Sequence, residues 1–303
     1  MGTKKVVVAG ATGNLGSKIV NALIEQGAEV TAMVRATSNR DNLEKLGVKN
    51  FVIGDMLDKP SLKEALSPKH GFDAIVASAA GYTKPSNTSR TDTIGYRNLV
   101  DVTKEAAIPR FVLISILESD KAMNVPHFHN KYLIEKYLQE KKQPYIALRP
   151  GAFFDWNDNF MLKKISKGVV PVFFTNAEYG TIYTPDLARY TAMAAAGVPD
   201  SEMNSYVDVG WSTPVNGDSL AAAFSKVLGK PFKSKSIMPG FVFGILSFFG
   251  LFIHRVKDMV EMVDWVNTGV YVSNDTAKQE RLFGDLPTIE EAVTRFCKDK
   301  GLI

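Results

Sequence analysis

Short apolar runs alternate with amphipathic stretches along the first half of the chain. The runs are rich in β-branched residues and are bounded by turn-forming residues, which is the pattern of buried strands. They occupy residues 6–9, 29–35, 49–53, 72–77, 110–116 and 145–149. Between them, apolar residues recur at helical spacing, over residues 15–26, 60–66, 93–107 and 129–140. The alternation predicts an α/β fold of parallel strands joined by right-handed helical crossovers.

A glycine-rich turn separates the first strand from the first helix. Gly10 permits a tight turn, Gly13 leaves room for a pyrophosphate beside the backbone, and Gly16 lets the helix pack closely on the strand. The helix points its unpaired N–H groups and positive dipole end at bound phosphates. We therefore predict dinucleotide binding, the alternative being an ordinary structural turn. The predicted binding residues are Gly10, Ala11, Thr12, Gly13, Asn14, Leu15 and Gly16.

The residue at the end of the second strand bears on the choice between NAD and NADP. An NAD site places an acidic residue there to bind the ribose 2′-hydroxyl, whereas this chain has Arg35, with Arg40 close behind. A guanidinium can bind a 2′-phosphate through two charge-assisted hydrogen bonds. NADP(H) is therefore the predicted cofactor, and a solvated arginine at a strand end is the alternative.

Small and polar residues follow other strands at the same predicted edge, where open α/β sheets bind their ligands. They are Asp55 and Met56 after the third strand, Ser78, Ala79 and Ala80 after the fourth, and Pro150, Gly151 and Phe153 after the sixth. We expect Asp55 to reach the adenine amino group and the small residues to let a cofactor lie against the backbone. A polar loop over residues 82–92 is long enough to form a flap.

The second half of the chain carries helix-start signals and one strongly apolar segment. Thr184, Asn216 and Thr288 are each predicted to begin a helix. Residues 236–254 contain five phenylalanines and no formally charged residue. We interpret this segment as an apolar lid or pocket wall buried on most sides; a membrane span and a membrane-surface contact are the alternatives.

Composition narrows the functional class. The 303 residues include 36 basic and 32 acidic side chains, a net charge of +4, without a long basic block, so a nucleic-acid partner is not implied. Cys297 is the only cysteine, which excludes an internal disulfide and favours a reducing, cytoplasmic setting. No secretory signal, metal-ligand motif or hydrolase nucleophile elbow is recognised.

Four motifs together resemble the NmrA-like atypical short-chain dehydrogenases. They are the string over residues 10–16, the helix containing His127 and Lys131, the sequence Arg149-Pro150-Gly151, and the segment over residues 286–291. The resemblance implies a Rossmann doubly wound parallel sheet in residues 1–152 and a smaller substrate-binding region in residues 153–303. It also implies NADPH-dependent reduction of a small hydrophobic carbonyl, quinone or conjugated double bond, by a monomer or homodimer.

The chain departs from the typical Tyr-x-x-x-Lys pair of short-chain dehydrogenases. Lys131 matches the lysine, but His127 stands in the tyrosine's place, and the two share a face if their helix begins by His127. Lys131 is predicted to orient the cofactor ribose and stabilise negative charge, and His127 to supply a proton. Ser115 lies close to the usual serine position. The missing tyrosine favours the main alternative, a non-catalytic NADP(H)-sensing regulator, and disfavours a third, an epimerase or isomerase.

Overall fold

The valine-rich run near the start of the chain forms a central, buried strand of a seven-stranded sheet. The computed structural model describes residues 2–81, 90–172, 177–237, 240–250, 254–273, 275–284 and 286–303. Within these, the strands are β1 (Lys5–Ala9), β2 (Glu29–Val34), β3 (Asn50–Ile53), β4 (Ala74–Ala77), β5 (Phe111–Ile114), β6 (Tyr145–Pro150), β7 (Ala152–Phe153), β8 (Val169–Val172), β9 (Thr181–Ile182), β10 (Ser205–Val209) and β11 (Lys233–Ser236).

The strand order of the large sheet is β10-β6-β5-β4-β1-β2-β3. The pairs β1–β2, β1–β4, β2–β3, β4–β5 and β5–β6 are all parallel, so the ends of these strands that carry the predicted binding residues share one edge. In this register Val8 lies between Ala32 and Val76. The chain order reverses direction at β1, which makes the sheet doubly wound. The predicted Rossmann-type α/β fold is confirmed.

Helices connect most of these strands. They are α1 (Asn14–Glu25), α2 (Asp41–Lys45), α3 (Lys59–Ala65), α4 (Tyr96–Glu105), α5 (Pro126–Glu140), α6 (Asp158–Ile165), α7 (Thr184–Ala196), α8 (Gly217–Leu228), α9 (Gly240–Gly250), α10 (His254–Asn267), α11 (Ala277–Phe283) and α12 (Ile289–Asp299). Short 3₁₀ turns cover Pro68–His70 and Asp200–Glu202, and a π-helical turn over Thr91–Gly95 leads directly into α4.

Two helix starts differ from their predicted positions. The α5 helix begins at Pro126, three residues before the predicted start, so His127 and Lys131 lie in one helix. The polar loop predicted over residues 82–92 is already helical at Arg90, because the π-helical turn extends the helix towards the strand before it. The rest of that loop, residues 82–89, lies outside the described residues, as does the flap predicted there.

The described residues divide into two compact units. The first comprises Met1–Ser119, His127–Arg149 and Thr184–Val207, and its core packs β1, β4, β5 and β6 against α3, α4 and α5. The second comprises Asp120–Pro126, Pro150–Tyr183 and Asp208–Ile303. The division predicted at residue 152 stays a prediction.

The second unit is built around an aromatic cluster rather than a large sheet. Phe154 packs against Trp211, Phe224 and Phe296, with ring centroids between 5.1 and 6.0 Å apart. Two pairs of parallel strands, β7 with β9 and β8 with β11, accompany the cluster. The predicted helix starts at Asn216 and Thr288 each form a capping box, in which side chain and backbone bond reciprocally.

Candidate functional site

The glycine-rich turn after β1 is held by close backbone contacts. Gly10 has a φ of +84°, and a Cβ added there would lie 2.7 Å from the backbone nitrogen of Ala79. A Cβ added at Gly16 would lie 2.0 Å from the carbonyl oxygen of Gly10. The fold itself therefore requires glycine at both positions.

Gly13 differs from the other two glycines. Its φ of −73° and ψ of 165° are open to any residue, and an added Cβ would approach only the Gly10 carbonyl oxygen, at 3.2 Å. Gly13 is the N-cap of α1 but supplies no side-chain cap, and Thr12, Gly13 and Asn14 are exposed. The first N–H groups of a twelve-residue helix thus face an open surface, which suits an anion such as a pyrophosphate.

Arg35 follows β2 directly and is exposed at the same edge. Its backbone N–H donates to the Ser38 hydroxyl at 3.2 Å, which closes a short turn after the strand. The Arg40 guanidinium lies 5.2 Å from the centroid of the Phe51 ring, on β3. The structure thus places two arginines beside the ends of β2 and β3, with Arg35 open to solvent.

The residues after β3 are held by local hydrogen bonds. The Asp55 backbone N–H donates to Ser61 Oγ at 2.9 Å, and Asp55 Oδ1 accepts from the backbone N–H of Leu57 at 2.8 Å. Met56 is buried, and its carbonyl oxygen accepts from Asn98 Nδ2 at 3.0 Å. Asp55 is therefore fixed at the sheet edge, and its contact with adenine stays a prediction.

Ala79, after β4, is the residue at which the glycine turn and the predicted catalytic lysine come together. Its backbone nitrogen faces Gly10, and its carbonyl oxygen accepts hydrogen bonds from Tyr96 OH at 2.5 Å and Lys131 Nζ at 3.4 Å. Ser78 Oγ donates to the Ala9 carbonyl at 3.0 Å, which ties the ends of β1 and β4. Ala80 is exposed.

Lys131 is buried, with 7% of its surface exposed, and has a carboxylate and an aromatic ring beside it. Its ammonium lies 3.8 Å from Asp92 Oδ1 and 3.9 Å from the centroid of the Tyr96 ring. Burial lowers the pKa of the Lys131 ammonium from its usual 10.5 to about 8, although the Asp92 carboxylate acts in the opposite direction. At neutral pH the lysine is therefore a desolvated cation at the sheet edge.

Asp92 and Tyr96 are site residues that the sequence analysis did not single out. Asp92 accepts from the backbone N–H of Gly81, at 3.3 Å for Oδ2. Burial, reinforced by Asp92, raises the pKa of the Tyr96 phenol well above its usual range, so this hydroxyl stays a donor. A signal in the sequence could have found them. The two residues are four apart at the start of a helix, and this helix follows the strand that ends in small residues.

His127 is half-buried on α5, one helical turn before Lys131. Its ring packs edge-on against Phe128, with the centroids 4.5 Å apart. Because the helix begins at Pro126, His127 and Lys131 share one face of it. The role of His127 as a proton donor stays a prediction.

Ser115 belongs to a buried ion-pair network. Its hydroxyl donates to Glu135 Oε1 at 2.5 Å, and Arg149 donates to both Glu135 oxygens, at 3.0 Å from Nε and 2.7 Å from Nη2. The Arg149 guanidinium also stacks on the Tyr206 ring, 3.7 Å from its centroid. The network joins the residue after β5 to α5 and β6, and it gives Ser115 a structural bond to Glu135.

Pro150, Gly151 and Phe153 belong to the second unit. The Gly151 backbone is so close to Gly180 that an added Cβ would lie 2.4 Å from its carbonyl group. Phe153 and Phe154 line a small cavity of about 40 Å³. Ligand pockets of roughly 300–1,000 Å³ are usual, so this cavity as it stands holds no aromatic substrate. Contacts of these residues with cofactor or substrate stay predictions.

The apolar segment over residues 236–254 is not buried on most sides, contrary to expectation. Ile245, Phe248 and Phe249 on α9 are 53%, 61% and 48% exposed. Phe252 and the side chain of Phe241 lie outside what the structure describes. The prediction failed because α9 packs against α10 but leaves these three apolar side chains about half exposed. Across the described chain, no helix is both long and apolar enough to cross a membrane.

The described residues contain no group of three His, Cys, Asp or Glu side chains placed to hold a metal ion. Cys297 is buried, and burial raises the pKa of its thiol to about 11. A thiol with such a pKa is largely protonated at neutral pH and weakly nucleophilic.

Comparison with known proteins gives a family match over almost the whole chain. A family model described as the NmrA-like family matches residues 2–293. Among curated proteins, photosystem II assembly factor Ycf39 of Cyanophora paradoxa is 29% identical over 188 residues, which are 61% of this chain and 57% of that protein. The chain spans about half the length of the first curated relatives it matches.

Solved structures with the same fold include two reductases. An NADPH-dependent quinone oxidoreductase of Escherichia coli, complexed with NADPH, is 18% identical with a TM-score of 0.75, covering 96% of this chain and 99% of that one. The triphenylmethane reductase of a Citrobacter species is 19% identical with a TM-score of 0.77, and the match covers 97% of this chain and 99% of that one. At such low sequence identities, the structural likeness shows that the fold is shared and nothing more.

Proposed function

Because the chain belongs to the NmrA-like family, we propose that it is an NADPH-dependent oxidoreductase. Its substrate is a small hydrophobic carbonyl, quinone or conjugated double bond, which receives a hydride from the cofactor and a proton from the protein or solvent. Structural neighbours named as a quinone oxidoreductase and a triphenylmethane reductase support this class of substrate.

One observation carries the proposal. Ala79 contacts the glycine turn through its backbone nitrogen and Lys131 through its carbonyl oxygen, so both lie at one edge of one sheet. A dinucleotide whose pyrophosphate lies at the turn extends along such an edge. A buried cation at the same edge favours a site in which the cofactor reacts.

The residues present fit NADPH. The open start of α1 suits the pyrophosphate, because no side chain caps it and Gly13 leaves its backbone accessible. The exposed Arg35 suits the 2′-phosphate that distinguishes NADPH from NADH. When bound, NADPH supplies the hydride, and the residues around it bind and orient the reactants.

Lys131 provides the charge that this chemistry needs. Its pKa of about 8 keeps it protonated at neutral pH, so it would donate a hydrogen bond to the nicotinamide ribose and stabilise negative charge on the substrate oxygen as the substrate is reduced. The Ala79 carbonyl and Asp92 hold the ammonium in place. His127, one turn earlier on α5, is the proposed proton donor.

A second candidate is a non-catalytic NADP(H)-sensing regulator that acts through a protein partner. Two observations favour it: curated relatives are named as photosystem II assembly factors, and His127 stands where short-chain dehydrogenases have their tyrosine. A regulator needs the glycine turn and Arg35 but makes no use of a buried cation beside the cofactor.

Absorbance-monitored oxidation of NADPH by the purified protein separates the two. The panel contains quinones, enones, aromatic aldehydes and a triphenylmethane dye, with NADH run alongside. Turnover of any member, faster with NADPH than with NADH, supports the oxidoreductase. Tight NADPH binding without turnover of any member supports the regulator instead.

A further inference from the structure

One face of α9 presents large apolar side chains to solvent. Ile245, Phe248 and Phe249 are spaced three and four residues apart, so they lie on the same side of the helix. About half or more of each is exposed. Isolated exposed apolar residues are common, but three neighbours on one helix form a contiguous patch of the kind that marks an interaction surface.

The helix is held on its other side by α10. Val260, Val263 and Val266 are buried on α10, whereas Lys257 and Asp264 are exposed. The α10 helix is therefore amphipathic and anchored within the second unit, and α9 packs against it. This arrangement fixes the apolar face of α9 outward without requiring α9 to move.

Basic residues flank the apolar helix in the sequence. Residues 219–257 contain six Lys or Arg residues and no Asp or Glu, whereas the whole chain is nearly balanced. Lys233 and Lys235 are exposed on β11, which ends four residues before α9 begins. Lys167 is also exposed, and it precedes Gly168, whose carbonyl accepts from the backbone N–H of Lys233.

Some of this positive charge is offset by neighbouring carboxylates. Lys226 pairs with Glu290 at 2.6 Å, and Lys257 lies 3.6 Å from Glu261. Asp218 accepts from Ser234 Oγ at 3.1 Å, beside the two β11 lysines. Lys230 and Lys167 are also exposed. The α10 helix carries three acidic residues, Asp258, Glu261 and Asp264, so the excess of positive charge belongs to β11 and the chain around it and not to α10.

From these observations we infer that the α9 face, defined as Ile245, Phe248 and Phe249 with the flanking Lys233 and Lys235, docks on an anionic lipid surface. Phenylalanine and isoleucine side chains enter the boundary between headgroups and acyl chains, and lysines attract acidic headgroups. A lipid surface accounts for both features together: an uncharged helix for insertion, and exposed lysines on the strand that precedes it in the chain. The contact is peripheral, since α9 has eleven residues.

Flotation of the full chain with lipid vesicles tests the inference. The vesicles are phosphatidylcholine alone and an equimolar mixture with phosphatidylglycerol. We expect binding to the anionic vesicles, weakened at high salt, and little binding to the neutral ones. Absence of binding to both, or equal binding to both, overturns the inference.

Two variants locate the contact. Ile245→Gln/Phe248→Gln/Phe249→Gln is expected to reduce anionic-vesicle binding at least tenfold, whereas Met123→Gln, at an exposed apolar position elsewhere, leaves it unchanged. Lys233→Gln/Lys235→Gln is expected to reduce it by roughly tenfold or more, since each basic residue near such a surface contributes about fivefold. Circular dichroism verifies that each variant is folded.

A different partner of the α9 face would give a different experimental result. Concentration-dependent self-association that the triple substitution abolishes, without vesicle binding, identifies a second copy as the occupant and overturns the inference. Unchanged vesicle binding by both variants overturns it as well. These experiments use no cofactor, so their result is independent of the proposed oxidoreductase activity.

Discussion

At the scale of single residues, the three glycines of the β1–α1 turn have different reasons to be glycine. Gly10 and Gly16 lie against backbone atoms of the protein itself, at 2.7 and 2.0 Å from an added Cβ. Gly13 has ordinary backbone angles and a single, mild contact. The sequence motif predicts a separate task for each glycine, and the structure supplies the distances: the fold needs glycine at Gly10 and Gly16, whereas a ligand would need it at Gly13.

This difference predicts opposite effects of two alanine substitutions. Gly16→Ala should lower the free energy of unfolding by about 3 kcal/mol, because the new methyl group overlaps the Gly10 carbonyl. Gly13→Ala should change it by less than about 1 kcal/mol but weaken NADPH binding about tenfold or more. Denaturant unfolding and fluorescence titration measure the two quantities. Normal NADPH affinity in folded Gly13→Ala would remove Gly13 from the proposed site.

Arg35 is predicted to decide between the two cofactors. Arg35→Glu places a negative charge where the 2′-phosphate is expected, so the affinity for NADPH should fall about thirtyfold or more, with a much smaller change for NADH. Lys45→Glu, on the exposed surface of α2, makes the same charge change as a control. An equal loss of affinity for both cofactors would contradict the assignment of Arg35 to the 2′-phosphate.

The charge on Lys131 predicts a pH dependence. With its pKa lowered to about 8 by burial, the lysine is a cation below that pH and neutral above it, so NADPH binding and turnover should decline as the pH rises through 8. Asp92→Asn removes the carboxylate that opposes this lowering, so the decline should move to lower pH. Asp41→Asn, exposed on α2, is the matched control. An inflection that stays unchanged in Asp92→Asn argues against Asp92 as the partner of Lys131.

At the scale of elements, the sequence predicts the strands and helices around β1 well, because apolar periodicity and turn residues agree there. It predicts the α4 helix only from residue 93 and so misses the start of the π-helical turn over Thr91–Gly95, since a polar stretch carries no periodicity that marks a helix. That turn carries Asp92 into the interior. The buried ion pair of Glu135 and Arg149 is missed for a related reason: hydropathy assigns charges to the surface, whereas these two are buried because they pair with each other.

The pair of Glu135 and Arg149 should be costly to break. Arg149→Met removes the cation from the buried Glu135 carboxylate and leaves it the hydrogen bond from the Ser115 hydroxyl, so it should lower the free energy of unfolding by about 3–5 kcal/mol. Lys226→Met breaks the exposed pair with Glu290 and should cost about 0–1 kcal/mol. Chemical denaturation of both variants measures the contrast, and comparable losses would contradict it.

Helix capping gives a prediction within the second unit. Asn216 Oδ1 accepts from the Ser219 backbone N–H at 2.9 Å, so Asn216→Ala should lower the free energy of unfolding by about 1 kcal/mol. Asn216→Ser keeps an acceptor and should cost less. Thermal unfolding compares them, and an Asn216→Ala variant as stable as the natural protein would show that the cap contributes nothing measurable.

At the scale of the whole molecule, the sequence predicts a Rossmann-type fold and a family, and both are confirmed. The second unit was harder to predict, because its core is an aromatic cluster assembled from residues far apart in the sequence, such as Phe154 and Phe296. The sequence predicts that the apolar segment over residues 236–254, which includes α9, is buried. It carries no local signal that distinguishes an apolar helix face turned towards the core from one turned towards solvent.

The central claim is that the edge of the sheet carrying Lys131 is the site of a reduction. The most direct measurement compares NADPH binding and NADPH oxidation by the natural protein and Lys131→Met, with the substrate that gives the fastest turnover. Loss of the ammonium should weaken binding by about tenfold and slow turnover by a hundredfold or more. A Lys131→Met protein that oxidises NADPH at the natural rate, or a natural protein that binds NADPH tightly and reduces nothing, would contradict the account.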